Sequence, residues 1–584
     1  MAVPGTVSTG APPRPRPTGV IRLDIDSLIS SVSGILWSLP LIGVILLAGV
    51  IFTVRTGAVQ VRGIPDMIRQ LFGGEKSSDG TSSFQSLMMS LANRVGTGNI
   101  AGVATAIAAG GPGAVFWMWF AALLGAATSF IESTLGQIYK ERDPDTGEYR
   151  GGPAYYFTKG FAHRSAGFAT VYGVLFAAVT IVAMSFTGPG VQSNAMSTAI
   201  NNAFGVPLWI VAIFLMALLA LIIIGGVKRI AAFASFVVPP MAVLYMLLAL
   251  VVLVLNFDMV PTVFGEIFGS AFGFHAVYGA IWGLAIKWGV QRGLYSNEAG
   301  QGSGPHHAAV AEVSHPAKQG FVQAFAVYID TLLVCSATAF IILSTDMFAV
   351  FEGETHGNPT IYVGEIGAEI EPGPGYVQGG FDTVMPGLGS AFVAIALFFF
   401  AFTTLVAFYY MAEVNMSFLT RNMTSRTARR VLIRVLQLIT VISVGYGAVN
   451  SGGSAWGLAD IGVGAMAWLN VLGILLLHGP AVKALKDYYA QKKQGVEPQF
   501  DPRPLAIPGA DFWETRADQR VAVEAAGGVE ARPEWGSDIS EDQLNTMIDE
   551  VEGDGQLSEE SRRAAREAGE DGSGGSGGSG TPRS

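Results

Sequence analysis

Apolar runs of helical length, separated by short polar segments, recur from residue 28 to residue 478. Each approaches the ~20 residues that cross the hydrocarbon of a bilayer. They predict eleven transmembrane helices, at roughly 28–54, 83–110, 113–139, 168–199, 207–225, 231–255, 262–292, 319–345, 388–418, 429–450 and 456–478. The second run is interrupted. Its middle reads Asn93-Arg94-Val95-Gly96-Thr97-Gly98-Asn99, inside a stretch otherwise apolar enough for a membrane. Glycine costs about 1 kcal/mol relative to alanine in a helix, and asparagine competes for backbone hydrogen bonds. A backbone group freed in hydrocarbon costs several kcal/mol unless protein, water or a ligand satisfies it. A break here is therefore expected to line a cavity. A packing seam of small residues accounts for Gly102, Ala106 and Gly110, but not for Gly96, Gly98 and the flanking asparagines.

A second interrupted run follows five helices later, where Gly269, Gly273, Gly279 and Gly283 are spread through 264–283. A unit of five helices reverses its orientation when repeated. The expectation is an inverted repeat, 83–255 and 262–478, preceded by one extra helix at 28–54. Interrupted helices at matching places in two halves point to a transporter's substrate site.

Lysine and arginine fix the orientation. They cluster after the first, third, fifth, ninth and eleventh runs, whereas 110–112, 200–206, 256–261, 346–387 and 451–455 contain none. The alternation predicts an external amino terminus (the polar segment 1–27) and a cytoplasmic carboxyl terminus, with Arg14, Arg16 and Arg22 in mild dissent. The acidic loop 346–387 is then external. Residues 490–584 are expected as an acidic, mostly disordered cytoplasmic tail with a glycine-serine end; at Ser540–Val551 a solvated acidic stretch is favoured over a short amphipathic helix.

Composition agrees with a polytopic all-α membrane protein: 50% of residues are hydrophobic and 14% charged, against roughly 25% charged in soluble domains. The single cysteine, Cys335, rules out an intrachain disulfide. A net charge of −10 argues against nucleic acid as a partner. No nucleophile–base pair, phosphate loop or metal-ligand spacing points to an enzyme, and no cofactor is implied.

The candidate chemistry concerns a cation and a zwitterion. Carbonyls freed near Ala92 and Val95, with the Asn99 amide oxygen, could face a cation. Thr403 and Thr404 form an adjacent hydroxyl pair in the greasy ninth run and could complete an oxygen site for Na⁺; an isolated threonine more commonly bonds its own preceding turn. The half-helix starting near Thr97, Gly98 and Asn99 offers unpaired amides to a carboxylate, and Gln192 could bond an ammonium group. Glu132, Asp330 and Glu413 are intramembrane carboxylates and candidates for a gate or a proton site. For Glu132 and Glu413 an ion pair with a loop arginine is the competing reading.

The strings VGTGNIAGVATAI (95–107), GGPGAVFWMW (110–119), GGPAYY (151–156), RGLYSNEAGQG (292–302), IDTLLVCSATAFIIL (329–343) and FAFTTLVAFYYMAE (400–413) resemble the alanine or glycine:cation symporter family. The resemblance covers about residues 28–485. It implies Na⁺-coupled, in some members H⁺-coupled, uptake of small neutral amino acids on an inverted-repeat fold of the leucine-transporter type. It also implies cation carbonyls near Ala92 and Val95, with family positions at Asn99, Gln192, Thr403 and Thr404. The chain departs from the family pattern at Phe274, His275 and Tyr278, which are expected to wall the side-chain pocket. The competing readings are an H⁺-coupled symporter, a sensor that binds without translocating, and a channel.

Overall fold

The computed structural model describes residues 25–72, 81–143, 146–224, 227–274, 277–352 and 360–525. Among them, seven helices are long and apolar enough to cross a membrane: Ser27–Thr56, Gly113–Ile138, Ala166–Phe204, Pro316–Ser344, Gly389–Thr420, Arg426–Val449 and Gly452–Leu477. The chain is a multi-pass membrane protein. The remaining expected spans fail that test for identifiable reasons. Leu208–Ile223 is short, Val227–Leu255 carries Pro239 and Pro240 and turns sharply into the next helix, and two helices are broken.

The first broken helix runs as Ser83–Arg94, a π-helical turn at Gly98–Gly102, and Val103–Gly110. Ser82 and Gln85 cap its start reciprocally, which satisfies two of the orphan amides there. A polar ladder fastens its first half to the helix Pro316–Val327: Ser86 and Ser90 donate to Gln319 and Gln323, and the Arg94 guanidinium donates to Gln323 O at 3.0 Å.

The second break is not where the glycines of 264–283 suggested. Val260–Ala271 is a separate helix, and the span proper is Trp282–Asn297, followed by an irregular 298–303 and the short helix Gly304–Ala309. All of 297–303 is buried. Glu298, Gly300 and Gly302 have φ of +58°, +91° and +82°, so the chain leaves helical geometry through three left-handed residues. The span thus extends well past the expected end at 292.

The segment after the last long helix also departs from expectation. Gly479–Lys493 is helical, and the chain then folds back through 494–510 into a helix, Asp511–Ala525. Phe500, Ile507, Ala510, Trp513 and Ala517 are buried against the ends of the transmembrane helices. This part of the expected tail is ordered by a few well-spaced apolar side chains. The stretch Ser540–Val551 and the glycine-serine end lie outside the described residues.

Candidate functional site

The site is built where the two breaks meet. Val95 ends the first half-helix with an extended ψ of 90°, and the carbonyls before it lose their helical partners. Thr403 and Thr404 both approach one of them: their Oγ1 atoms lie 3.3 and 3.0 Å from Ala92 O. Each hydroxyl also reaches Phe400 O in its own preceding turn, so the two readings of the pair coexist. Gly96 carries no side chain for a packing reason: a Cβ there would collide with Thr404 Oγ1 and lie 3.3 Å from Gln192 Oε1.

Thr97 N donates to Gln192 Oε1 at 3.2 Å, and Gly96 N donates to Asn99 Oδ1 at 2.8 Å. The other end of the Asn99 amide donates to Asp330 Oδ1 at 2.6 Å. Asp330 also accepts from Ser296 and Thr331, so one carboxylate ties the first break to the last turn before the second. Gly98 sits against Ser296: a Cβ on Gly98 would fall 3.0 Å from Ser296 Cα, which fixes how closely the two broken helices approach. Among the described residues the buried Thr97 hydroxyl has no partner.

The second break is held differently. The Glu132 carboxylate accepts Gly300 N and Gly302 N, each at 3.1 Å, and Asn470 Nδ2 at 2.7 Å. Asn470 also donates to Gly300 O, and accepts from the Tyr156 hydroxyl. Glu298 is bonded by Asn93 and Ser303. The guanidinium of Arg94 lies amid Glu132, Glu298 and Asp330. Above this region, a cavity of about 790 Å³ is lined by Ala101, Thr105, Asn194, Trp288, Arg292 and Trp456, with Glu369 and Glu371 of the 346–387 loop. Arg292 pairs there with Asp460 at 2.9 Å.

Residues 23–502 match the profile of the sodium:alanine symporter family. The chain belongs to that family. It is 48% identical over 77% of its length to a sodium/proton-dependent alanine carrier protein of Bacillus sp. strain PS3, of which 97% is covered. A sodium/alanine symporter of Methanococcus maripaludis is 36% identical over 81% of this chain and 99% of that one. A Na⁺-coupled sialic acid symporter, solved in a substrate-bound outward-open state, aligns at a TM-score of 0.45 and 12% identity, covering 79% of this chain and 92% of that one.

Within this family member, Ala92, Val95, Thr97, Gly98, Asn99, Gln192, Thr403 and Thr404 lie together around the first break. Phe274 and Tyr278 do not join them. Phe274 is 84% exposed, and Tyr278 packs on Gly111 and 6.2 Å from the ring of Tyr362, at the end that carries the 346–387 loop. They follow the separate helix Val260–Ala271 rather than a break, so they form no wall of the site; His275 lies outside the described residues. Glu132 lies at the second break and not in a loop ion pair. Glu413 is in such a pair: it lies 3.7 Å from Arg150, which also holds Asp143. Sequence reasoning missed Asn93, Ser296, Glu298, Gly300, Gly302 and Asn470 as neighbours. The signal for most of them was the run Ser296–Gly304, with three glycines among carboxamides and a carboxylate.

Proposed function

We propose that this chain is a Na⁺-coupled symporter of small neutral amino acids, alanine and glycine foremost, working by alternating access. The observation that carries it is the convergence of Thr403 and Thr404 on Ala92 O at the interrupted helix. Uncharged oxygens from a freed carbonyl and two hydroxyls suit a hard, singly charged cation, with Val95 O and Asn99 as further oxygens. The substrate carboxylate takes the amides of Thr97 to Asn99, at the positive end of the half-helix. In doing so it displaces Gln192 Oε1 from Thr97 N, which frees that oxygen for the substrate's ammonium group.

The alternation of lysine- and arginine-rich loops supports an external amino terminus and a cytoplasmic carboxyl terminus. In that orientation the 790 Å³ cavity is the external vestibule. The Bacillus relative is named as sodium/proton-dependent, which keeps a second reading in view, in which a proton serves in place of Na⁺. Uptake of labelled alanine into proteoliposomes, under a Na⁺ gradient and separately under a pH gradient, decides between them. Accumulation driven by Na⁺ alone is expected. Binding without accumulation under either gradient would leave a sensor.

A further inference from the structure

The fold-back after the last long helix touches both halves of the molecule at the end opposite the vestibule. On one side it holds the segment that follows the second break. Phe500 N donates to Ser314 O at 3.0 Å, Ser314 Oγ donates to Pro498 O at 2.8 Å, and Lys318 pairs with Glu497 at 2.5 Å. Arg516 lies 3.5 Å from Glu312. That same segment pairs with the entry to the first broken helix, since Glu312 N donates to Thr81 O. The fold-back therefore sits on the point where both broken helices emerge.

On its other side it grips the end of Gly113–Ile138 and the hairpin beyond. The Trp513 indole, 1% exposed, donates to Gln137 O at 2.8 Å. Lys140 is buried under three rings, with its Nζ 4.5, 4.7 and 5.4 Å from the centres of Tyr149, Phe512 and Trp513. Burial holds that ammonium well below its ordinary pKa. Lys159 pairs with Asp511 at 3.0 Å. The helix Asp511–Ala525 lies beyond the residues that match the family profile, which end at 502.

We infer that residues 497–517 form a cytoplasmic latch, which ties the inner end of the second broken helix to the end of Gly113–Ile138 and the segment beyond it, and must release from Gln137, Lys140 and Lys159 for the site to open inward. The inference rests on the proposed function, because only a transporter has to open at that end. A latch that bridges two parts is tight when they are together and cannot keep both grips when they separate. Phe500, with Trp513 5.3 Å away, is the wedge between the grips.

The test is a reversible lock. A Cβ built on Gly509 falls 3.4 Å from that of Lys159, close to the ~3.8 Å of a disulfide. The φ of +77° at Gly509 strains any replacement there, so the reduced form of the same double variant, Lys159→Cys with Gly509→Cys, is the reference. The native Cys335 is buried and does not compete. Oxidation is expected to lower Na⁺-driven alanine uptake at least tenfold while leaving alanine binding from outside intact, and dithiothreitol restores uptake. Equal uptake by oxidised and reduced forms overturns the latch. Absence of Na⁺-driven uptake in the wild-type protein overturns the transport reading instead. If the pair does not crosslink, Trp513→Ala decides: maleimide labelling of Cys335 in inside-out vesicles rises several-fold if the latch holds the inner side shut, and stays at the wild-type rate if it does not.

Discussion

The two interruptions in the membrane helices look alike in backbone terms and differ in what meets their freed groups. At the first, two hydroxyls converge on Ala92 O, Gln192 covers Thr97 N, and the Thr97 hydroxyl is left without a partner among the described residues. At the second, the Glu132 carboxylate takes two amides and Asn470 takes the Gly300 carbonyl. Its glycines stand in left-handed geometry with no room for a side chain: a Cβ on Gly302 would lie 2.7 Å from Pro153 and 3.0 Å from Asn470. On the function proposed above, the break satisfied by the Glu132 carboxylate is scaffold, and the break covered by exchangeable neutral groups is the one a ligand enters.

The largest effect on transport is expected from the scaffold. Glu132→Gln keeps the shape but replaces one oxygen with an amide that faces N–H donors. A buried donor left without an acceptor costs about 1–3 kcal/mol. Uptake should fall on the order of a hundredfold, and the thermal midpoint should fall with it, because the break itself loses its support. Uptake and unfolding measured on one preparation check this. A variant that transports normally would mean that the second break supports itself without the carboxylate.

Thr403→Val with Thr404→Val comes next, and the signature should differ. Two oxygens disappear at constant volume, so the Na⁺ concentration for half-maximal uptake is expected to rise about tenfold, equivalent to ~1.4 kcal/mol. The thermal midpoint should stay near wild type. Titration of uptake against Na⁺ settles it; an unchanged midpoint of that curve would remove the hydroxyls from the cation site and make the first break as structural as the second.

The contrast also explains which parts could be read from the sequence. Gly96 and Gly98 stand in an apolar run with apolar flanks, so the polar insertion announces a break inside a span. In the second case the polar run Ser296–Gly304 follows Arg292, and hydropathy ends the span before the break begins. The side chains that make 297–303 tolerable in the membrane, Glu132 and Asn470, come from 168 and 170 residues away in sequence. Such compensation is visible only after folding. Residues 494–520 failed for a related reason: Phe500, Ile507, Phe512 and Trp513 are too sparse to form a periodic pattern, and rings that pack on them, such as His315 on Phe500 and Tyr149 on Phe512, lie far away in sequence. Phe274 and Tyr278 were misplaced because the glycines before them punctuate a turn between helices and not a break within one.

A smaller effect is expected from pH. His306 lies buried in the short helix beyond the second break. Nδ1 faces Ser303 O at 3.1 Å, and Nε2 faces the Asn415 amide nitrogen at 2.8 Å. Protonation would set two donors against each other, and turning the Asn415 amide would forfeit its bond to Met411 O. Lowering the pH from 7.5 to 5.5, through the ordinary range of histidine, should therefore lower stability. Thermal unfolding of the wild type and His306→Gln at both values tests it, and an equally steep loss in the variant would assign the effect elsewhere.

The smallest effect on transport is expected just before the span Trp282–Asn297, at the end that carries the 346–387 loop, and it separates the two breaks as sources of specificity. If substrates are held by main-chain amides at Thr97 to Asn99 and by Gln192, selection among them is steric and belongs to the first break. Tyr278 is remote from that site, edge-on to Tyr362 and packed on Gly111. Tyr278→Ala should lower thermal stability, since a buried aromatic is lost at a cost of about 3–5 kcal/mol. The ratios of alanine, serine and leucine uptake should nonetheless remain as in the wild type. Phe274→Ala, on a side chain that touches little, should alter neither stability nor ratio. Competition assays with unlabelled amino acids against labelled alanine read these ratios directly. If Tyr278→Ala admitted leucine, this end of the molecule would have to reach the substrate during the cycle, and the division between a scaffolding break and a binding break would no longer describe how the transporter selects its cargo.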